Sequence, residues 1–270
     1  MKVWFITGTS KGFGRIWSEA ALERGDKVVA TARDIASIKG LAEQFGGNVL
    51  PLSLDVNDRA AVFDAIQKGH EKFGRLDVVV NNAGYGQFGA VEELSEAEVR
   101  AQIETNLFGA IWVTQAALPI LREQGSGHFI QVSSIGGVTA FPNIGMYHAS
   151  KWALEGISQS LSQEVAGFGI NVTLVEPTGF STDWGGPSAK HATPLSAYDP
   201  IREANASRWK NRKRGDPEAT AAVILKLADM DSPPLRIFLG RDTVEMAHAE
   251  YSKRLAGWDA FKDLSDSAHG

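Results

Sequence analysis

Tyr147 and Lys151 stand four residues apart in YHASK, and Ser134 in VSSIGG precedes the tyrosine by thirteen residues. Four residues make about one turn of α-helix, so the two side chains leave the same helical face. A phenol of ordinary pKa, ~10, is only about 0.1% ionised at pH 7 and is a poor base. An ammonium group beside it favours the phenolate, which brings the hydroxyl toward use as a proton donor or acceptor. The plain alternative is a tyrosine opening a helix and a surface lysine one turn on. A second chemical pattern is TGTSKGFG at 7–14. Gly8, Gly12 and Gly14 leave bare backbone at a helix start, where amide groups and the positive end of the helix dipole can receive a phosphate. The whole turn, with Thr9, Ser10, Lys11 and Phe13 between the glycines, is therefore a candidate nucleotide cradle. Glycines also serve tight turns and helix-to-strand packing. The spacing is GxxxGxG, which is neither the GxGxxG fingerprint nor a P-loop, since no Gly-Lys-Ser/Thr ends it.

Both patterns need elements to hold them. Short β-branched runs at 3–7, 27–31, 49–54, 76–81, 128–133, 170–175 and 235–239 alternate with helical patterns at about 12–24, 57–73, 96–122, 150–168 and 216–229. Most of the runs are apolar at consecutive positions, as parallel strands covered on both faces require. Strand, helix, strand in repetition predicts an α/β fold, a doubly wound parallel sheet of about seven strands with helices on both faces. No linker, low-complexity tract or repeat breaks the alternation, and 270 residues with 43% hydrophobic content suit one undivided domain. The long irregular stretch from Pro177 to about Pro217 reads as a substrate loop at about 178–215, and about 241–270 as a C-terminal extension.

Composition narrows the partners. With 27 Lys and Arg against 32 Asp and Glu, the net charge is -5, and the pI near 5.7 argues against nucleic acid. The dense basic cluster RWKNRKRG at 208–215 reads as a solvated face in preference to a binding arm. Without cysteine there is neither a disulfide nor a thiolate zinc site, and no metal is expected. The apolar run before Thr7 is too short for a signal peptide and no stretch approaches a membrane span, so a soluble cytoplasmic protein is expected.

In open α/β sheets the ligand lies outside the carboxyl ends of the strands. Those ends read TARD, LDVND, NNAG, SSIGG and EPTGFST. Asp55 could accept a hydrogen bond from an adenine amine with Val56 beside the ring, or it could cap the helix at 57–73. Asn82, Ala83 and Gly84 could bring backbone against a ribose, or form an ordinary turn.

Together, TGTSKGFG, NNAG, Asn106 in ETNLFG, Ser134 in VSSIGG and YHASK resemble the short-chain dehydrogenase/reductase family, in order and spacing from residue 3 to about 240. The resemblance implies a single-domain Rossmann-type fold, a nicotinamide cofactor and metal-free interconversion of a carbonyl and a secondary alcohol. It implies Tyr147 as proton donor and Lys151 as the cation that lowers the phenol pKa and reaches the nicotinamide ribose. Ser134 would donate to the substrate oxygen, with Ser133 pointing into the sheet or bonding backbone. Asn106 would hold a water that connects the lysine to solvent. Pro177, Gly179 and Thr182 fall where the family holds the nicotinamide, Thr182 matching the threonine that bonds its carboxamide. The family's Pro-Gly is here Pro177-Thr178, which puts that turn in question, and Glu176 before it reads as a charge held by neighbouring backbone or an arginine.

Aligned on the family, the second strand places Ala32 where NAD users carry an acid, with Arg33 next. With Lys11 approaching from the glycine turn, NADP(H) is expected in preference to NAD(H), Asp34 being the group that could neutralise Arg33. Tyr85, Phe88, Phe141 and Met146, with Trp184, Pro187, His191, Tyr198 and Trp209 in the loop, suggest an apolar wall for a hydrophobic carbonyl such as a steroid-like, retinoid-like or aryl ketone. Some of these would simply pack the loop onto the body. The helices at 96–122 and 150–168 resemble those through which family members pair, so a homodimer or homotetramer is expected. The competing readings are a catalytically silent cofactor-sensing or regulatory protein, opposed by the presence of Asn106, Ser134, Tyr147 and Lys151, and a Rossmann-like methyltransferase, opposed by YxxxK.

Overall fold

Strands that are apolar at every position must bury alternate side chains on opposite faces, and β1 (Val3–Thr7) does so: Trp4 and Ile6 enter one core while Val3 and Phe5 enter the other. The same alternation runs through β2 (Lys27–Ala32), β3 (Val49–Ser53) and β4 (Val78–Asn81). The computed structural model describes residues 1–210 and 212–269. After the short β5 (Gln87–Phe88) come β6 (Gly127–Val132), β7 (Ile170–Pro177), the short β8 (Lys190–His191) and β9 (Arg236–Leu239). Seven strands form one parallel sheet in the order β3-β2-β1-β4-β6-β7-β9, and β5 pairs with β8 outside it. The winding reverses between β1 and β4, the place where a doubly wound sheet opens a crevice at its carboxyl edge.

Helices cover both faces. On one side lie α1 (Gly12–Glu23) through Ile16, Trp17 and Leu22, α2 (Lys39–Phe45) through Leu41, and later α8. On the other, α3 (Arg59–Phe73) brings Val62 and Ile66, and α5 (Gly109–Gln124) brings Val113 and Leu121. The long helix expected over 96–122 is divided. α4 (Glu96–Ile103) and α5 flank a π-helical turn, Glu104–Phe108, with Asn106 at its centre. Such turns recur at functional sites because they re-aim a side chain. α6 (Gly145–Val165) starts five residues before the expected 150, so Tyr147 lies inside its first turn. It adds Leu161 and Val165 to the second core.

The stretch from Pro177 to Pro217 is not irregular. It holds β8, short 3-10 turns and α7 (Asp199–Lys210). α7 is mostly polar, and its apolar residues, Pro200, Ile201, Ala204, Ala206 and Trp209, make no clear stripe to read. α8 (Thr220–Ala228) begins later than 216 because Asp216 and the Pro217 carbonyl form a capping turn with Glu218 and Thr220. The C-terminal extension is also helical, as α9 (Thr243–Ala260) and α10 (Lys262–Ser267). Among the described residues no helix is long and apolar enough to cross a membrane.

Candidate active site

The glycine turn is built from strand-end polar groups. The Thr7 hydroxyl donates to the Val80 carbonyl at 3.2 Å and accepts from the Asn82 and Ala83 amides at 2.9 and 3.0 Å. The Asn82 side chain donates to the Thr7 and Gly8 carbonyls at 2.8 and 3.0 Å. These bonds join β1 to β4 at the crevice. Gly8 and Gly12 sit at φ +71° and +58°, where a side chain is strained. A Cβ on Gly14 would press into the Gly8 carbonyl and come within 2.5 Å of Asn82 Nδ2. No side chain caps the start of α1, so its first amides are left for another acceptor.

A cleft of about 1540 Å³ opens at the strand ends, larger than the 300–1,000 Å³ usual for one drug-sized ligand. It is lined by Gly8, Ser10, Lys11, Gly12 and Phe13, by Arg33, Asp55 and Val56, by Asn82, Ala83 and Gly84, and by Pro177, Gly179 and Thr182. Farther along stand Ser134, Tyr147, Lys151, Tyr85, Phe141 and Trp184.

Among the expected catalytic, cofactor and substrate residues, Thr9, Gly14, Met146 and Asn106 lie elsewhere. Thr9 is fully buried and donates to the Thr31 carbonyl at 3.1 Å, so it braces β2. Gly14 packs behind Gly8. Met146 is partly buried outside the cleft lining. Asn106 is buried, its side chain spent on Tyr85: Oδ1 accepts from the Tyr85 amide at 3.1 Å, and Nδ2 donates to the Tyr85 carbonyl at 2.9 Å and to Ser150 at 3.2 Å. Its side chain is thus a brace for the segment after NNAG. Asp55 is not the cap of α3, a task that Asp58 performs by accepting from the Ala61 amide at 3.0 Å.

Ser134, Tyr147 and Lys151 converge. Tyr147 is 6% exposed, and burial pushes its phenol up to about 12 while a hydrogen bond from Ser134 pulls it back. The expected lowering by Lys151 is absent from the chain itself. Lys151 Nζ lies 5.7 Å from the tyrosine ring centre and donates to the Val132 carbonyl at 2.7 Å. Burial brings the lysine down to about 8, against the pull of Glu155 one turn on. Ser134 Oγ accepts from the Gly136 amide at 2.9 Å, which fixes it at the end of β6.

His148, which the sequence did not single out, holds the turn beyond Ser134. Its Nε2 accepts from the Phe141 amide at 2.9 Å, so Nδ1 carries the proton and donates to the Gly136 carbonyl at 2.8 Å. Its signal was adjacency to Tyr147, but nothing local revealed that it faces inward.

Some of the expected aromatic residues meet at the cleft. Trp184 lies 4.8 Å from Tyr147 and 5.7 Å from Phe88, ring centre to ring centre, and Pro187 also lines the cleft. His191 stacks on Phe88 from outside at 5.1 Å, and Tyr198 donates to Glu92 at 2.6 Å on the surface. The Trp209 side chain lies outside the described residues. So do most of the side chains of the basic cluster's first half, whereas Arg212, Lys213 and Arg214 line the cleft wall, Lys213 and Arg214 while exposed. The Pro177-Thr178 departure is absorbed by Gly240, at φ +107°, where a Cβ would strike the Thr178 methyl.

Sequence and structure comparisons agree with this geometry. A model of the short chain dehydrogenase family matches residues 2–192. An oxidoreductase of Botryotinia fuckeliana is 43% identical over 268 residues, 98% of each chain. A short-chain dehydrogenase from Streptomyces avermitilis superposes with a TM-score of 0.93 at 37% identity, covering 99% of this chain and 100% of its own. An alcohol dehydrogenase of Thermococcus sibiricus, solved with 5-hydroxy-NADP, gives 0.74 at 29% identity over 88% of this chain and 96% of its own. The chain belongs to the short-chain dehydrogenase family and is an NAD(P)-dependent oxidoreductase that interconverts CH–OH and C=O.

Proposed function

We propose that the protein is an NADP(H)-dependent reductase of hydrophobic ketones or aldehydes, with Tyr147 as proton donor. The observation that carries this reading is the meeting of Tyr147, Ser134 and Lys151 in one cleft continuous with the glycine turn. The uncapped start of α1 and the space held open at Gly8 and Gly14 suit a pyrophosphate, and Pro177, Gly179 and Thr182 would hold the nicotinamide. When bound, the nicotinamide supplies or takes the hydride. Ser134 donates to the substrate oxygen and orients it beside Tyr147. A phenol raised by burial stays neutral at physiological pH, which suits donation to a developing alkoxide better than abstraction from an alcohol. Lys151 holds a positive charge beneath the reacting oxygen.

Arg33 supports the preference for the 2′-phosphate. It lines the cleft with no ion-pair partner among the described residues, while Asp34 is spent accepting from the Ala36 amide at 3.0 Å. Lys11 pairs with Asp183 at 3.3 Å, so its contribution depends on exchanging that partner for phosphate. Phe88 and Trp184 support an apolar substrate. Exposed Phe108, Ile157 and Phe168 on the α5 and α6 side support pairing of two or four copies, which light scattering would detect.

The test is NADPH- and NADH-linked turnover of bulky apolar ketones and small polar sugars. Tyr147→Phe should lower kcat by about 10²–10⁴-fold with cofactor affinity nearly unchanged. Arg33→Ala should weaken NADPH about tenfold to a hundredfold and NADH far less, from one lost charge-assisted bond. A wild type that prefers NADH, or a phenylalanine variant that keeps most of its turnover, would overturn the reading.

A further inference from the structure

Beneath the turn that presents Ser134 lies a charged cluster that the reaction chemistry above does not use. Glu155 follows Lys151 by four residues on α6 and so shares its helical face. Glu176, the penultimate residue of β7, is 0% exposed. Arg236 reaches both from β9. Its Nε donates to Glu155 Oε2 at 2.9 Å and lies 3.5 Å from Glu176 Oε1, and Nη2 donates to Gln159 at 2.8 Å. The guanidinium therefore spends its directed bonds on Glu155 and Gln159. Both oxygens of Glu176 are left without a partner, as are Glu155 Oε1 and the Ser133 hydroxyl.

A carboxylate with no donor and no solvent is costly. A carboxylic acid in its place has a proton to give, and the open acceptor is Glu155 Oε1. One proton on Glu176 thus satisfies two orphaned groups at once. Burial, the charge of Glu155 and a hydrogen bond to it all push the Glu176 carboxyl up, to about 8, with Arg236 opposing. Ser133 stands on the same side. A Cβ on Gly137 would meet both its hydroxyl and Glu155 Oε1, so the glycine lets this cluster lie directly under the Ser134 turn. Among the described residues, the charged groups set against Glu155 are Lys151 from its own helix, Glu176 from β7 and Arg236 from β9. β6 contributes the Ser133 hydroxyl, and the 135–137 turn contributes none.

We propose that Glu155, held ionised by Arg236 and by a proton donated from a neutral Glu176, is the positioning residue that supplies the counter-charge of Lys151. A buried ammonium with the Val132 carbonyl as its hydrogen-bond acceptor needs such a charge to remain protonated. Glu155 acts through Lys151 and touches neither substrate nor cofactor. Its importance to turnover rests on the role given to Lys151 above, but its effect on the lysine does not.

The experiment uses the full chain without cofactor. The Lys151 side chain is followed by NMR of labelled lysines against pH, with Lys151→Ala assigning its signal, and neutral carboxyl groups are followed by infrared difference spectroscopy. In Glu155→Gln/Glu176→Gln the acid dissociation constant of Lys151 should rise at least tenfold. In Glu176→Gln alone it should stay within about twofold, because a neutral group replaces a neutral group, and the carboxylic-acid band present in wild type near pH 6 should vanish. If the double variant does not fold, Glu155→Gln must still shift the lysine in the same direction. An unchanged Lys151 titration in the foldable glutamine variants, or no carboxylic-acid band assignable to Glu176, overturns the proposal. Lys151→Ala that keeps carbonyl reduction would instead sink the reading of the site and leave the titration result standing.

Discussion

The two walls of the cleft are held by different forces. The wall at the glycine turn is pinned by buried neutral hydrogen bonds: Thr7 to β4, Thr9 and Thr31 between β1 and β2, and Asn82 across to Gly8. The facing wall, from Asp183 to α7, is pinned by charges, buried at Glu93 and near solvent at Asp183. Glu93 accepts from the Ala90 and Leu195 amides and pairs with Arg202, Arg202 also pairs with Asp199, and Lys11 pairs with Asp183 while both side chains are about half exposed, at 51% and 54%. A buried polar group that loses its partner costs about 1–3 kcal/mol. An exposed ion pair contributes about 0–1 kcal/mol and less in salt. One wall is therefore a fixed template, and the other is held firmly at Glu93 and only weakly at Asp183.

The comparison breaks most visibly at Gly14. Gly14→Ala should abolish measurable NADPH binding by calorimetry, because the methyl group meets a backbone carbonyl that Asn82 already holds in place. Overpacking of this kind costs about 1–3 kcal/mol even where neighbours can move. Normal affinity in the variant would show that the template is softer than its bonds imply.

Acid should weaken the body of the sheet. His128 in β6 meets Thr173 through Nε2 at 2.9 Å, and the Thr173 hydroxyl gives its one proton to the Pro234 carbonyl at 2.7 Å, so the histidine must be the donor. Burial pushes this imidazole down to about 4. Its folded pKa lies below the unfolded value of about 6.5, so the unfolded state binds the extra proton between those limits. Stability is then fully present above about 6.5 and declines as pH falls toward 4, by about 3 kcal/mol in all. Denaturant unfolding at stepped pH should show this slope, and His128→Gln should flatten it.

The smallest effect is expected at the exposed Lys11–Asp183 pair. Asp183→Asn should leave the unfolding midpoint nearly unchanged while speeding limited proteolysis around residues 183–190 several-fold. Molar salt should do the same to wild type. A large loss of global stability would mean that the segment is part of the core.

Legibility followed the range of the physics. All seven sheet strands were readable because burial on both faces requires apolar residues at neighbouring positions, a local signal. α7 was not, because a polar helix on the surface has no stripe, although Asp199-Pro200 marked a start. Ser134, Tyr147 and Lys151, which the motifs singled out, line one cleft. The sequence could not separate Asn82 and Asn106, whose side chains brace backbone, from residues that face a ligand.

By itself, then, the sequence determined the run of sheet strands, the family, and which residue types stand at the strand ends, since these depend on periodicity and spacing along the chain. The tertiary structure alone decided the charge states. The Tyr147 phenol is raised, Lys151 and His128 are lowered, and Glu176 meets Glu155 and Arg236 from three separate elements. Burial and the approach of distant charges set those values, and neither is written in any local stretch of the chain.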